Sequence, residues 1–216
     1  MYYLLKNIDA KKSIILILSL IFLDQFVKIY IKLNYPLTAY GEPPIIDLGF
    51  FKLLFIENKG MAWGASLNDF IPILSEDTAK LLLSIFRLVA VSVIGIWLLR
   101  ATKLKSPKLL LIGVSLIFAG ALGNIIDSVF YGILFSETTY DQLAIFMPEE
   151  GGYAPLMFGH VVDMFQFPMF TWTWPNWLPI VGGNRFTFFE PVFNIADSAI
   201  SIGVVLFLLQ QRKNSC

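Results

Sequence analysis

Four stretches of this chain, 13–31, 81–99, 109–126 and 193–209, are each long and apolar enough to cross a bilayer as a helix. A span of that kind needs roughly 20 residues. Repeated along 216 residues, such runs leave no room for a separate soluble core. The sequence therefore predicts one membrane domain over 1–216, an all-α bundle of four transmembrane helices. Charged residues make up only 15% of the chain, against about 25% in soluble domains. Lys11 and Lys12 precede the first stretch as they would precede a signal-peptide core. It is too long for that role, no small-residue cleavage site follows, and it carries Asp24 and Lys28.

Several chemistries are excluded early. Sixteen Lys and Arg balance sixteen Asp and Glu, so no basic field exists to hold nucleic acid. The one cysteine, Cys216, and the one histidine, His160, rule out a disulfide scaffold, a cysteine zinc site and a multi-histidine metal centre. His160 and Asp163 form an H-x-x-D pair, but no further nitrogen ligand accompanies them, and neither a metal nor a cofactor is expected.

Orientation follows from the basic residues of the short connections. Lys6, Lys11 and Lys12 precede the first span, Arg100, Lys103, Lys105 and Lys108 lie between the second and third, and Arg212 and Lys213 follow the fourth. Both termini are expected in the cytoplasm and the segments 32–80 and 127–192 outside. The first of these contains an apolar run from Phe50 to Ile56 and a turn signal at Asn58-Lys59-Gly60, which suits a small extracytoplasmic β-hairpin or sheet. The second holds three aromatic pieces, 165–170, 172–177 and 186–189, expected to lie along the membrane interface.

Polar side chains inside spans are costly, roughly 2.5–3.5 kcal/mol for a central Asp or Lys on insertion scales, so each needs a reason. Asp24 and Lys28 stand four apart on one face of the first span and can pair. Asn124 and Asp127 end the third, and Asn194 and Asp197 open the fourth, each pair three apart. With alternating span direction, the three carboxylates reach one level near the outer leaflet. Ala119, Gly120 and Gly123 in the third span, with Ala196 and Ala199 in the fourth, let backbones approach closely there. Asp163, in GHVVDMFQF, sits in apolar surroundings that raise a carboxyl pKa.

Paired aspartates sharing one proton can activate water against an amide, with asparagine or backbone donors polarising the carbonyl. On the residues alone, Asp127 stands beside Asp197 as a leading candidate. The rival class is a transporter or channel using Asp24, Asp127 and Asp197 as an ion path. It requires acidic residues at several depths, whereas the cytoplasmic halves are apolar apart from Arg87, assigned to that half of the second span.

Five short motifs then carry a family resemblance: LDQFVK (Asp24, Lys28), ENKGMAWG (Asn58, Gly60, Ala62), GALGNIID (Asn124, Asp127), GHVVDMF (Gly159, Asp163) and FNIADSAI (Asn194, Ala196, Asp197). In this order, on a four-span chain, they resemble the bacterial lipoprotein signal peptidase (signal peptidase II) family of membrane aspartic peptidases. The resemblance implies a four-helix bundle with a small β-cradle and an extra external helix. It implies removal of a prolipoprotein's signal peptide on the amino side of a diacylglyceryl-modified cysteine in the bacterial inner membrane, and sensitivity to globomycin-type inhibitors. Prolipoproteins and membrane lipid are the partners so implied. Asp163 and Asp197 match the family's catalytic pair, and Asp127 becomes a supporting carboxylate. Asn124, Asn194 and Ala196 match positions that shape the site, Asn58 and Gly60 a substrate-contacting loop, and Asp24 with Lys28 a structural pair.

The chain departs from the family pattern twice. The family usually has Arg directly after the Asp of GNxID, where this chain has Ser128. A guanidinium donor to substrate is then missing, or supplied by Arg185 or Lys59. The stretch 132–159 is also longer than usual, and Glu149-Glu150-Gly151-Gly152 reads as an exposed turn. A lid, a partner surface and a tolerated loop expansion are the readings open for it.

Overall fold

The computed structural model describes residues 10–38, 43–58, 71 and 73–214. Four long helices dominate: α1 (Ala10–Asn34), α2 (Glu76–Lys103), α3 (Lys108–Ile126) and α5 (Ile195–Asn214). α3 continues through a π-helical stretch, Asp127–Tyr131, into one short turn, α4 (Gly132–Leu134). All four segments have the length and hydropathy to cross a membrane, and each extends beyond the bounds expected from the sequence at one end or both. Their outward faces are apolar: Phe22, Phe26, Phe86, Leu99 and Leu208 are among the large exposed side chains. That is the surface a bilayer, rather than water, solvates.

The ends of the helices follow their sequences. Ser75 caps α2, accepting the Thr78 N–H at 3.2 Å, with Glu76 and Asp77 in the first turn and Arg100 and Lys103 in the last, each sign matched to the helix dipole. Lys11, Lys12, Arg100, Lys103, Lys108, Arg212 and Lys213 all fall at one end of the bundle. The carboxylates of the spans converge towards the other.

α3 is the central helix, packed against α1, α2 and α5. Its contact with α5 is close because both sides are small: a Cβ placed on Gly120 lies 2.3 Å from the Ala196 carbonyl oxygen, and one on Gly113 lies 2.9 Å from that of Gly203. With no hydrophobic drive between helices in lipid, this backbone-to-backbone fit is what holds α3 on α5.

The carboxylate end is closed by a three-stranded antiparallel sheet, β1 (Ile46–Asp47), β2 (Lys52–Asn58) and β3 (Val161–Gln166), in spatial order β1-β2-β3. The apolar run 50–56 enters β2, and the turn signal at Asn58-Lys59-Gly60 leads out of the described residues. Among the described residues β2 pairs with β1 and with the distant β3, placing Ile56 opposite Asp163 and Asn58 opposite Val161, with an irregularity between Leu53 and Ile56. Phe55, Val162 and Met164 point into a core completed by Ile31 of α1, Tyr131 and Phe135. Lys59, Gly60 and Ala62 lie outside the described residues. The described parts of the external segments contain no separate helix beyond the ends of α1 and α2 and the π-helical and α4 continuation of α3.

A second ribbon, β4 (Phe170–Thr173) and β5 (Arg185–Phe188), gathers the aromatic pieces. Its register sets Phe170 against Phe188 and Trp172 against Phe186, so the rings stack on one face while Thr171 and Thr187 meet on the other. The stretch 132–159 folds back along the π-helical segment. Tyr153, Ala154, Met157 and Gly159 donate backbone hydrogen bonds to Phe135, Gly132, Val129 and Ser128, and Leu37 donates to Thr139. It buttresses the end of α1 and the entry to β3, and Glu149 to Gly151 form its exposed turn.

Candidate active site

Each span contributes polar side chains to one connected cluster, and α1 supplies its base. Lys28, fully buried, lies 2.9 Å from Asp24 Oδ2 and 2.8 Å from Asp127 Oδ2, and donates to Asn124 Oδ1 at 2.9 Å. The expected i,i+4 pair is thus half of a four-member node. Asp24 turns its other oxygen to the Ala196 N–H at 2.9 Å, satisfying a free donor at the start of α5. Asp127 is wholly buried. Besides Lys28 it accepts from Gln25 Nε2 at 2.8 Å and from the Val162 N–H at 3.3 Å. Both its oxygens are engaged, one of them in fixing the backbone of β3.

Asp127 and Tyr131, four apart and so on one face of the helix, both reach Gln25, the tyrosine hydroxyl donating to Gln25 Oε1 at 3.1 Å. Gln25 and Tyr131 escaped the sequence reading. An amide inside an apolar span was the available signal for the first, and none existed for the second.

Asp163 and Asp197 are brought together by Asn194. This residue caps α5: its Oδ1 accepts the Asp197 N–H at 2.9 Å, while Asp197 Oδ2 reaches back to the Asn194 N–H at 3.4 Å, a reciprocal capping box. Its Nδ2, at the same time, lies 2.8 Å from Asp163 Oδ1, 3.0 Å from Asn124 Oδ1 and 3.2 Å from the Val162 carbonyl. Asn124 Nδ2 donates to Asp197 Oδ1 at 2.8 Å, and Asn58 Nδ2 donates to Asp163 Oδ2 at 3.3 Å. Each aspartate is oriented by amides, which donate without neutralising it. Asp163 is buried in strand β3 rather than in a turn, and Asp197 is half-buried. Burial, and then the charge of Asp197 beside it, pushes the Asp163 carboxyl up to about 7.

Lys28 therefore does more than pair with Asp24. Through Asn124 its charge is relayed to Asp197, which the sequence reading did not anticipate.

A second guanidinium question is answered from an unexpected element. Arg87 Nη1 donates to Ser128 Oγ at 3.1 Å, and the carboxylates acting on it electrostatically are Asp197 first, then Asp163 and Asp127. Arg87 thus belongs to the site-bearing half of α2, not to the cytoplasmic half where the sequence reading put it. Of the two alternatives from sequence, only Arg185 is among the described residues, and it is placed elsewhere. Arg185 is exposed on β5, paired across the ribbon with Thr173, and Lys59 lies outside the described residues.

Beside this cluster lies another that the sequence reading missed. Lys32 forms an ion pair with Glu57 and donates to Thr138 at 2.8 Å. His160 Nδ1 meets the other Glu57 oxygen at 2.9 Å. Burial works to raise the Glu57 pKa, but His160 and Lys32 outweigh it and the net shift is downward. His160 accordingly faces Glu57.

Comparison with known proteins accords with this geometry. Residues 16–212 match the family model described as signal peptidase (SPase) II. A lipoprotein signal peptidase of Porphyromonas gingivalis is 42% identical over 195 residues, covering 90% of this chain and 80% of that protein. One from Amoebophilus asiaticus is 35% identical over 192 residues, covering 88% and 73%. Two solved bacterial membrane enzymes share the fold at 24% identity, with TM-scores of 0.59 and 0.57; the first match covers 95% of this chain and 90% of the other. Helices, sheet and motif order thus meet in one assignment: the chain belongs to the signal peptidase II family of membrane peptidases.

Proposed function

We propose that this enzyme removes signal peptides from prolipoproteins on the amino side of a diacylglyceryl-modified cysteine, with Asp163 and Asp197 acting together on one water. The observation that carries the reading is the shared amide of Asn194 between a strand aspartate and a helix aspartate, beside an Asp127 whose oxygens are already engaged. In the one-proton state the ionised carboxylate takes a proton from water as it attacks the scissile carbonyl. The protonated partner donates to the carbonyl oxygen; as the tetrahedral intermediate collapses it takes that proton back, and the first carboxyl passes the proton gained from water to the leaving amine. Asn58, Asn124 and Asn194 hold the pair, Ala196 ties the start of α5 to Asp24, Gly60 belongs to the loop that meets substrate, and Asp24, Lys28 and Asp127 anchor α1, α3, α5 and β3 to one another. The test compares a diacylglyceryl-modified precursor with its unmodified form, with and without globomycin. Cleavage confined to the modified form and blocked by globomycin is expected; equal cleavage of both would defeat the reading.

We propose further that both termini face the cytoplasm of a bacterial inner membrane and that the site opens near the outer leaflet. The gathering of basic residues at the opposite end of the bundle supports this. A topology reporter placed after Lys105 is expected to read cytoplasm, and one placed near Glu150 to read the outside. A cytoplasmic signal at Glu150 would reverse the orientation.

The pair should also mark its pH dependence. An unfolded aspartate titrates near 4, whereas Asp163 in the fold titrates near 7. Its folded pKa is the higher one, so stability falls as pH rises through that interval, where the unfolded chain has already shed the proton. Thermal unfolding in detergent is expected to show this loss between about pH 4 and 7, and Asp163→Asn to abolish that component. A parent and variant with the same pH slope would refute the assignment.

A further inference from the structure

The charge count around the aspartate pair does not close with α1 alone. Asp24 and Asp127 share Lys28, so that node carries a net negative charge. A pair holding one proton adds another. Two uncompensated charges would then lie together between apolar helices, where water screens them poorly. From the other elements packed here, α2 contributes a cation: Arg87, half-buried, bonded to Ser128 Oγ at 3.1 Å and acted on most strongly by Asp197. Ser128 is itself fixed, its hydroxyl donating to the Asn124 carbonyl at 3.0 Å. It thus holds the guanidinium over the same helical turn whose amide binds Asp197. Among the described residues, Lys32 and His160 nearby are paired with Glu57.

Ser84, Arg87 and Val91 lie on one face of α2 at helical spacing. Ser84 donates to the Met157 carbonyl at 2.9 Å, and Val91 is buried. The arginine is therefore directed to the site by neighbours a turn away on either side.

We infer that Arg87 is a positioning residue of the peptidase, supplying from the second span the counter-charge that sets the pH range in which the Asp163/Asp197 pair holds a single proton. The inference rests on the reading of those two aspartates as the working pair. Its sign is definite: a nearby cation favours the ionised form, so removing it makes the pair hold protons more tightly and moves both limbs of the pH–rate profile upward.

The experiment measures kcat/KM for cleavage of a diacylglyceryl-modified precursor between about pH 5 and 9, spanning both limbs of such a profile. The enzymes are the parent, Arg87→Gln, Arg87→Lys and Ser128→Ala, each at matched folded concentration judged by thermal unfolding. Arg87→Gln should shift the profile upward by about one pH unit, roughly a tenfold loss on the acid limb with relative recovery on the alkaline limb. Arg87→Lys keeps the charge and should stay near the parent profile. Ser128→Ala frees the guanidinium from its anchor and should give a smaller shift of the same sign. A merely structural role would lower rates evenly across pH. An even loss, an unshifted Arg87→Gln, or an Arg87→Lys shifted as far as Arg87→Gln would overturn the proposal. Should Arg87→Gln not fold, an unshifted Ser128→Ala would overturn it instead. Asp197→Asn serves as the control: if it still cleaves, the reading of the pair fails rather than the role of Arg87.

Discussion

Exchanging Asp163 or Asp197 for asparagine is expected to cut precursor cleavage by about 10²–10⁴-fold, the usual contribution of general acid–base catalysis, with the double variant little worse than either single one. Asparagine preserves shape and can keep the contacts with Asn58, Asn194 and Asn124, yet it accepts no proton. The two residues come from different elements and share Asn194, so each loses its purpose without the other. Initial rates at matched folded concentration decide the matter. Losses that multiply in the double variant would show two independent roles rather than one shared proton.

The largest effect on stability is expected at Lys28. Its ammonium lies within 2.9 Å of both Asp24 and Asp127, and all three side chains are fully buried. Lys28→Ala strands two carboxylates at once, and breaking a buried pair typically costs about 3–5 kcal/mol. Because Asp24 meets the start of α5, and Asp127 meets β3, the damage should spread to the elements that carry the aspartate pair. A sharp fall in folded yield and in unfolding temperature is expected. Turnover per folded molecule should fall less than in the aspartate variants, since Lys28 touches Asp197 only through Asn124. Full yield with abolished turnover would instead make Lys28 a participant in the reaction.

The parts of this architecture that could be read from sequence are those written locally. An apolar run declares a span by its length, and polar residues three or four apart declare a face. Asp24 with Lys28, Asn124 with Asp127 and Asn194 with Asp197 were legible in that way, and the small residues around Gly120 marked where helices touch. Long-range pairings were not. The alliance of β2 with β3 joins residues such as Asn58 and Val161, and nothing in the run 50–56 names its partner. The Lys32–Glu57–His160 cluster draws on three distant segments, each with one ordinary charged residue. The π-helical turn at Asp127–Tyr131 has no sequence signature here. Arg87 was visible as an isolated cation in a span, but its depth was misjudged because only its meeting with Ser128 reveals which end it serves.

Choosing between the two candidate pairs also needed three dimensions. From spacing alone, Asp127 equals Asp197 as a carboxylate near a helix end, and only the family resemblance moved the role to Asp163. In the fold, Asp127 is enclosed and engaged by Lys28, Gln25 and the Val162 N–H. Asp163 and Asp197 accept from the amides of Asn58, Asn124 and Asn194.

The most direct test follows cleavage of a diacylglyceryl-modified precursor by mass spectrometry, for the parent and for Asp163→Asn, Asp197→Asn and Asp127→Asn, each purified and folded. The parent should release the signal peptide and leave the lipid-modified cysteine as the new amino terminus; Asp163→Asn and Asp197→Asn should leave the precursor intact, and Asp127→Asn should retain measurable cleavage. Near-normal cleavage by Asp163→Asn, with Asp127→Asn inert, would contradict the pairing and return the chemistry to Asp127 and Asp197.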